Sequence, residues 1–408
     1  MPMSMIPATM QYFTFTLNLL LPFTPPNYGN EIMVIKILLV SPFPPPSGGI
    51  ATWSKTVLEV VSDYSEIEVI HIDTGVRWRS TNDLAFFKRL FGGTFQAFLY
   101  ILRIFNAIKD TSPHLVHLCT SASLATAKDI IILSLCSVLG VKSVIHYHFG
   151  RLPEIIKGNT WEWKLIRVAM KLADIILLLD RKSQIAVKDK LPDNFVKLIA
   201  NPIDLKMLKE RFTRRESEIS PNKLSRFVYA GHIVPNKGIH ELVEACALIK
   251  EYPFQLHLVG PVEDSFREKL ESLAGKLNAG QWLRFHGMMT RQEAMGFIND
   301  ADIFVLPSYT EGFPNVILEA MAFGKAIIAT RVGAIPEMLD DKTAFPCGLL
   351  INSQNVEELH NALVYFIENP REASLCGALA HKKALEQYSM EKIMEQYVAL
   401  WLSISGKI

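Results

Sequence analysis

The sequence predicts an α/β protein built from two doubly wound, Rossmann-like domains that face each other across a cleft. Three observations predict it. The 408 residues exceed what one hydrophobic core normally supports, so two domains are expected. Short runs rich in Val, Ile and Leu alternate with helix-length amphipathic segments, the pattern of parallel strands joined by helices. The strand pattern breaks off after residue 201 and restarts at residue 226, which divides the chain.

In the first half the expected strands read IKILLVS (Ile35 to Ser41), IEVIHID (Ile67 to Asp73), LVHLCT (Leu115 to Thr120), SVIHYH (Ser143 to His148), IILLLD (Ile175 to Asp180) and VKLIAN (Val196 to Asn201). In the second they read RFVYAG (Arg226 to Gly231), FQLHLVG (Phe254 to Gly260), LRFHG (Leu283 to Gly287), DIFVLPS (Asp302 to Ser308), AIIAT (Ala326 to Thr330) and GLLI (Gly348 to Ile351). Apolar runs without polar alternation are strands covered on both faces. The domain plan is therefore 33–205, a charged linker at 206–223 punctuated by Ser220-Pro221, 224–387, and a final helix at 388–408 that returns to the first domain.

Residues 1–32 differ from the rest. They carry no Lys or Arg, so the basic start of a signal peptide is missing, and Thr14, Thr16, Asn18 and Pro22 interrupt the apolar run. The run falls short of the ~20 residues of a spanning helix. A disordered leader or a start-site artefact is expected, since MVIKILLVSPF from Met33 makes a clean opening strand.

The net charge of +1 gives no bulk attraction for nucleic acid, so any anionic ligand must be held by a local site. The five cysteines, Cys119, Cys136, Cys246, Cys347 and Cys376, are widely spread and show no metal-ligand spacing. Buried free thiols in a reducing cytoplasm, with no structural metal, are expected.

Ligands of such sheets bind outside the carboxyl ends of the strands. After the first strand, Gly48 and Gly49 let backbone amides approach an anion and open a helix, although a plain Gly-Gly turn explains them equally well. The fourth strand ends HYHFG, with His148 nearer the cleft than His146; a satisfied structural histidine is the alternative. The seventh ends GHIVPNKGIHELVEA. There Gly231 and Gly238 bracket a loop, Lys237 stands at the start of the next helix, and His232 could add a second donor, which together suit a phosphate. Asp300-Ala301-Asp302 leads straight into a buried strand and reads as structural.

The stretch YTEGFPNVILEAMAFGKAIIAT places Glu311 in a loop, Pro314 at a helix start and Gly324 at its stop. Asn315 and Glu319 share one helical face, about 6 Å apart along the axis. Between the two carboxylates, the first-turn amides near Asn315 and Val316 can take a phosphate.

From about Lys36 onward the chain resembles glycosyltransferase family 4, the retaining enzymes of the GT-B fold. The resemblance rests on E-x7-E from Glu311 to Glu319, on GAIPE, on the GHIVPNKG loop, on NPID at Asn201 to Asp204 and on SGG at Ser47 to Gly49, in the family's order. It implies a catalytic set of Glu311, His148 and Lys237: Glu311 and His148 at the donor sugar, Lys237 on the donor diphosphate. It implies ribose recognition by Glu319, and a donor site completed by Gly48, Gly49, His232, Gly312, Phe313, Pro314, Asn315 and Val316. Two residues depart from the family pattern: His232 stands where an Arg is usual, and Ala334 follows Gly333 where a second Gly is usual. A titratable single donor replaces a permanent bidentate clamp at His232, so weaker or pH-sensitive diphosphate binding is expected.

The implied reaction moves a sugar from a nucleoside-diphosphate sugar to an acceptor hydroxyl with retention, in polysaccharide or glycolipid assembly, with no metal or other cofactor. Three alternatives stand beside it. These are a covalent role for Glu311, a nucleotide-sugar 2-epimerase of the same fold, and a non-catalytic nucleotide-sugar-binding protein. The segment Leu84 to Lys109 mixes Lys88, Arg89, Arg103 and Lys109 with aromatics. That composition suits a helix lying on a membrane, which would bring a lipid-linked glycan acceptor to the cytoplasmic face; a core helix is the other reading.

Overall fold

A computed structural model describes residues 34–406 apart from 46–47, 76–85, 124, 193, 214–218, 220, 250, 341 and 344–345, and for 86–95 the helical backbone alone. The expected leader at 1–32 lies outside the described residues, as do Ser47 and Leu84.

Each of the twelve apolar runs forms a strand, five with the expected ends and seven with an end shifted by one to three residues. In the first lobe the strands are β1 (Ile35–Ser41), β2 (Ile67–Asp73), β3 (Leu115–Thr120), β4 (Lys142–Tyr147), β5 (Ile175–Leu178) and β6 (Phe195–Leu198). They form one parallel sheet in the order β2-β1-β3-β4-β5-β6. In the second lobe they are β7 (Ser225–Ala230), β8 (Phe254–Val259), β9 (Leu283–Gly287), β10 (Ile303–Leu306), β11 (Ala326–Thr330) and β12 (Leu349–Ile351). Their order is β12-β11-β10-β7-β8-β9, again parallel. Helices cover both faces of each sheet, as uniformly apolar strands require.

The shortened ends have local causes. Asp180 belongs to the next helix rather than to β5, because its carboxylate caps that helix by accepting from Ser183 N–H at 2.7 Å. Asp302 precedes β10 and is buried, its carboxylate accepting from Arg226 N–H at 2.9 Å. This is a structural use of the Asp-x-Asp.

The strand order reverses between β1 and β3 in the first sheet and between β7 and β10 in the second. Such reversal points open a crevice at the carboxyl ends of the strands.

Two segments join the lobes side by side. Ile203 N–H donates to Tyr388 O at 2.8 Å and Met390 N–H to Ile203 O at 3.0 Å, a small parallel bridge between the outgoing and returning chain. The segment read as a linker, 206–223, begins differently. A helix, Leu205–Arg211, takes up its start, and Leu205 and Leu208 are buried in the second lobe's core. Asp204 caps that helix, and apolar burial at its i and i+3 positions overrides the charged composition.

The last helix, Met390–Ile404, packs on the first sheet, where Met394, Tyr397 and Trp401 are fully buried against Trp53, Ile35, Ile37 and Leu115. Burying a side chain as large as Trp401 is worth about 3–5 kcal/mol against its truncation, enough to hold the returning helix down. All five cysteines are buried and free. Among the described residues no helix is long and apolar enough to cross a membrane.

Candidate active site

The reversal point of the second sheet brings together the loop after β7 and the loop after β10. The first makes a single 3-10 turn, Pro235–Lys237, closed by Gly238 in the left-handed conformation with φ 67°. A Cβ at Gly238 would meet Pro307 O at 2.1 Å, so the position needs glycine on both counts. The turn aims Lys237 at Glu311: Nζ lies 2.5 Å from Oε1, and Ser308 Oγ donates to the same oxygen at 2.7 Å. Both charges are largely out of water, so each offsets the other's lost hydration.

The structure thus brings together two residues that the resemblance assigns to different parts of a donor. Ser308, a buried neighbour that sequence reasoning missed, orients the carboxylate; its position directly after Leu306-Pro307 at a strand end was the available signal.

Glu311 and Gly312 also touch the first lobe. A Cβ on Gly150, just past β4, would lie 2.1 Å from Glu311 O, so only glycine allows this approach. His148 stands two residues earlier, and its N–H donates to Thr120 O at 3.0 Å. His148 is half-buried, and burial first, then His117, pushes its pKa down to about 3, so it is neutral. Its Nε2 lies 3.0 Å from Nδ1 of His146, and its ring packs on Trp53.

The helix after Glu311 runs Asn315–Ala322, with Pro314 as an N-cap that offers no side-chain bond to the first-turn amides. The sequence places Pro at a helix start because its fixed φ and missing N–H cost nothing there. Asn315 reaches the other lobe, its Oδ1 accepting from Asn201 Nδ2 at 2.8 Å. The side chains of Phe313 and Val316 pack against the second core instead of lining open space.

Glu319 is buried and pairs with Arg291, whose Nε and a terminal NH2 lie 3.0 Å and 2.9 Å from Oε1. Burial raises its pKa, and Arg291 works against that rise. Both bonds land on Oε1. Arg291 opens the helix Arg291–Asp300 and lines a narrow inter-lobe cleft with Thr52, Asn201 and Asn315. It too was missed; the signal was its place just past the end of β9.

The remaining expected residues are placed as follows. Gly48 caps the helix Gly49–Val61 at the reversal point of the first sheet, and apart from its chain neighbours and its own helix, a Cβ built on Gly48 or Gly49 meets no described heavy atom within 4 Å. His232 is exposed, and its carbonyl accepts from Tyr229 Oη at 2.7 Å. Ala334 is buried and its N–H donates to Gly312 O at 2.9 Å, so the loop's anchoring bond comes from backbone that any non-proline residue supplies.

Over 92% of the chain and all of its counterpart, the structure superposes on sucrose-phosphate synthase from Thermosynechococcus elongatus with a TM-score of 0.70, at 18% identity. The fold is GT-B. A second GT-B structure, Anabaena HepE solved with UDP-glucose, matches 90% of the chain and all of that protein with a TM-score of 0.63 at 17% identity. Residues 210–383, which carry Lys237, Arg291, Glu311 and Glu319, match the family model described as glycosyl transferases group 1. A relative described as an uncharacterized glycosyltransferase, from Haemophilus influenzae, is 28% identical over 271 residues, 64% of this chain and 69% of its own length. Three further relatives are matched over only 40% to 61% of their lengths.

Proposed function

We propose that the protein is a retaining glycosyltransferase that moves a sugar from a nucleoside-diphosphate donor to an acceptor hydroxyl. The observation that carries the reading is the Lys237–Glu311 pair, set at the reversal point of the second sheet and pressed against the end of β4. The group 1 match over 210–383, and a similar fold solved with UDP-glucose, support it.

The demanding part of such a transfer is negative charge on the departing diphosphate. Lys237 is the cation placed to meet it, exchanging Glu311 for phosphate oxygens when the donor binds. The Asn315 and Val316 amides and those of Gly48 and Gly49 add neutral donors. His232 supplies a weaker donor than an arginine would. Released from Lys237, Glu311 turns to the donor sugar, where His148 meets it from the other lobe. Glu319, clamped on Oε1 by Arg291, offers Oε2 to a ribose hydroxyl.

Transfer proceeds on one face. The bond from the anomeric carbon to the diphosphate oxygen breaks, the acceptor oxygen bonds to the same face, and its proton passes to the leaving phosphate. No step calls for a metal, so chelation should leave the rate unchanged.

The helix Phe86–Thr111 extends the reading to the acceptor. Tyr100, Ile104 and Ile108 are buried, while Phe98, Leu102, Arg103 and Lys109 face outward. A face that mixes apolar and basic groups suits an anionic bilayer, and so a lipid-linked acceptor at the membrane in polysaccharide or glycolipid assembly.

Calorimetry with a panel of nucleoside diphosphates, followed by incubation of the corresponding sugars with and without acceptors, tests the reading. Full turnover without acceptor would establish an epimerase instead. A glycosyl adduct trapped on Glu311 would replace one-face transfer by a covalent route. Unchanged glycosylation by Glu311→Ala would remove Glu311 from the mechanism.

A further inference from the structure

The last helix of the chain ends its path against the histidines of β3 and β4. Trp401 is fully buried there, and its indole N–H donates to Nδ1 of His117 at 3.0 Å. Nε2 of His117 lies 3.2 Å from Nδ1 of His146, and Nε2 of His148 lies 3.0 Å from that same nitrogen. Four side chains, drawn from 284 residues of separation, thus form one continuous hydrogen-bonded path to His148.

Proton positions along this path follow from one fact: an indole only donates. His117 must accept at Nδ1, and as a neutral ring it then carries its proton on Nε2. That N–H points at Nδ1 of His146, which must be the acceptor, so His146 is protonated on Nε2. Nε2 of His148 lies beside the same unprotonated nitrogen, with the two rings overlapping at 3.8 Å between centroids, so a proton on His148 Nε2 avoids setting two lone pairs against each other and the Nε2–H form is favoured. Its Nδ1 is then unprotonated. Consistent with this assignment, Nε2 of His146, the one place left for that ring's proton, has no hydrogen-bond partner among the described residues. The network accepts an unsatisfied buried donor there to keep its order.

His117, His146 and Cys119 also form a group whose ligand atoms all lie within 4.8 Å of one another, close enough to consider a metal ion. Trp401 decides against it. A neutral His117 bound to a metal through Nε2 would carry a proton on Nδ1, directly facing the indole N–H.

We propose that Trp401 is a positioning residue. Acting through His117 and His146, it holds His148 as the Nε2–H tautomer, so that His148 offers the donor sugar a hydrogen-bond acceptor at Nδ1. The purpose, though not the proton assignment, rests on the function proposed above. The sugar's partner on the first lobe is accordingly an acceptor that takes a hydroxyl proton, and its state is set by a residue from the chain's far end.

Histidine-selective 15N labelling with long-range 1H–15N correlation reads the tautomers directly in the unaltered protein. The expected result is Nε2–H for His117, His146 and His148. An Nδ1–H tautomer at His117 or His148 overturns the relay, and no variant is needed to see it. Trp401→Phe keeps an aromatic ring but removes the donor; it should shift the His148 resonances and raise the donor KM by up to about tenfold, the worth of one neutral hydrogen bond, with kcat little changed. Unchanged His148 resonances in Trp401→Phe would also overturn the relay. An unchanged donor KM in His148→Ala would instead overturn the sugar contact on which the relay's purpose rests.

Discussion

Lys237 Nζ lies 2.5 Å from Glu311 Oε1, across the point where the second sheet reverses its strand order. Each residue therefore restrains the other. Glu311→Gln frees Lys237 without removing it, so nucleoside-diphosphate binding should be kept or strengthened while turnover falls about 10²-fold or more. Lys237→Met removes the cation proposed to meet the leaving group and should lower kcat on the order of 10²–10³-fold, the scale of one lost oxyanion donor. Calorimetry beside steady-state kinetics separates the two; weaker binding in Glu311→Gln would argue that the carboxylate itself holds the nucleotide.

Arg291 and Glu319 make a second, different pair. Arg291 is 44% exposed along its side chain while Glu319 is buried, so removing the arginine leaves a carboxylate that water reaches poorly. Arg291→Ala should cost about 1–3 kcal/mol of stability by denaturant titration, the penalty of one unsatisfied buried polar group. It should also weaken binding of a nucleoside diphosphate more than that of pyrophosphate, because the proposed ribose contact is lost with Glu319's orientation.

The approach of the two lobes at Gly150 depends on bare backbone. A methyl there must push Glu311 away, so Gly150→Ala should hold the lobes apart. Donor KM should rise and kcat fall at least tenfold while the melting temperature stays within a few degrees, and small-angle scattering should show a larger radius of gyration.

The three histidines of the relay make the fold sensitive to acid. Burial lowers the pKa of His117 to about 3, lowers that of His148 to about 3, and pushes His146 well below 6.5. Between about pH 6.5 and 3 the unfolded chain binds protons that the folded chain refuses, so stability falls as pH drops through that window. Urea midpoints measured from pH 7.5 to 4.5 should decline, and His146→Asn should flatten the slope if the protein folds with it.

The helix Phe86–Thr111 predicts co-sedimentation with vesicles containing phosphatidylglycerol but not with neutral ones. The double variant Arg103→Glu, Lys109→Glu should abolish it and leave turnover of a soluble acceptor untouched.

Most of the architecture was legible because it rests on local signals. Strands buried on both faces must be apolar throughout, and glycine at 238 and proline at 314 announce the turn and the helix start that follow them. Charge at Lys206, Lys209 and Glu210 hid the periodic Leu205 and Leu208, and with them the short helix at the start of the charged segment. Ser308 and Arg291 were missed because a serine after a strand and an arginine after a loop are ordinary until a buried carboxylate is seen beside them.

By itself the sequence determined two parallel sheets, the carboxyl-end loops that face a cleft, and the residues from which a phosphate site could be built. Only the tertiary structure decided which of them meet: Lys237 with Glu311, Arg291 with Glu319, Trp401 with His117. The reason is physical. Periodicity and turn chemistry are properties of neighbours in the chain, whereas a charge or a proton is placed by groups tens or hundreds of residues away, and those come together only when two cores and a returning helix have packed.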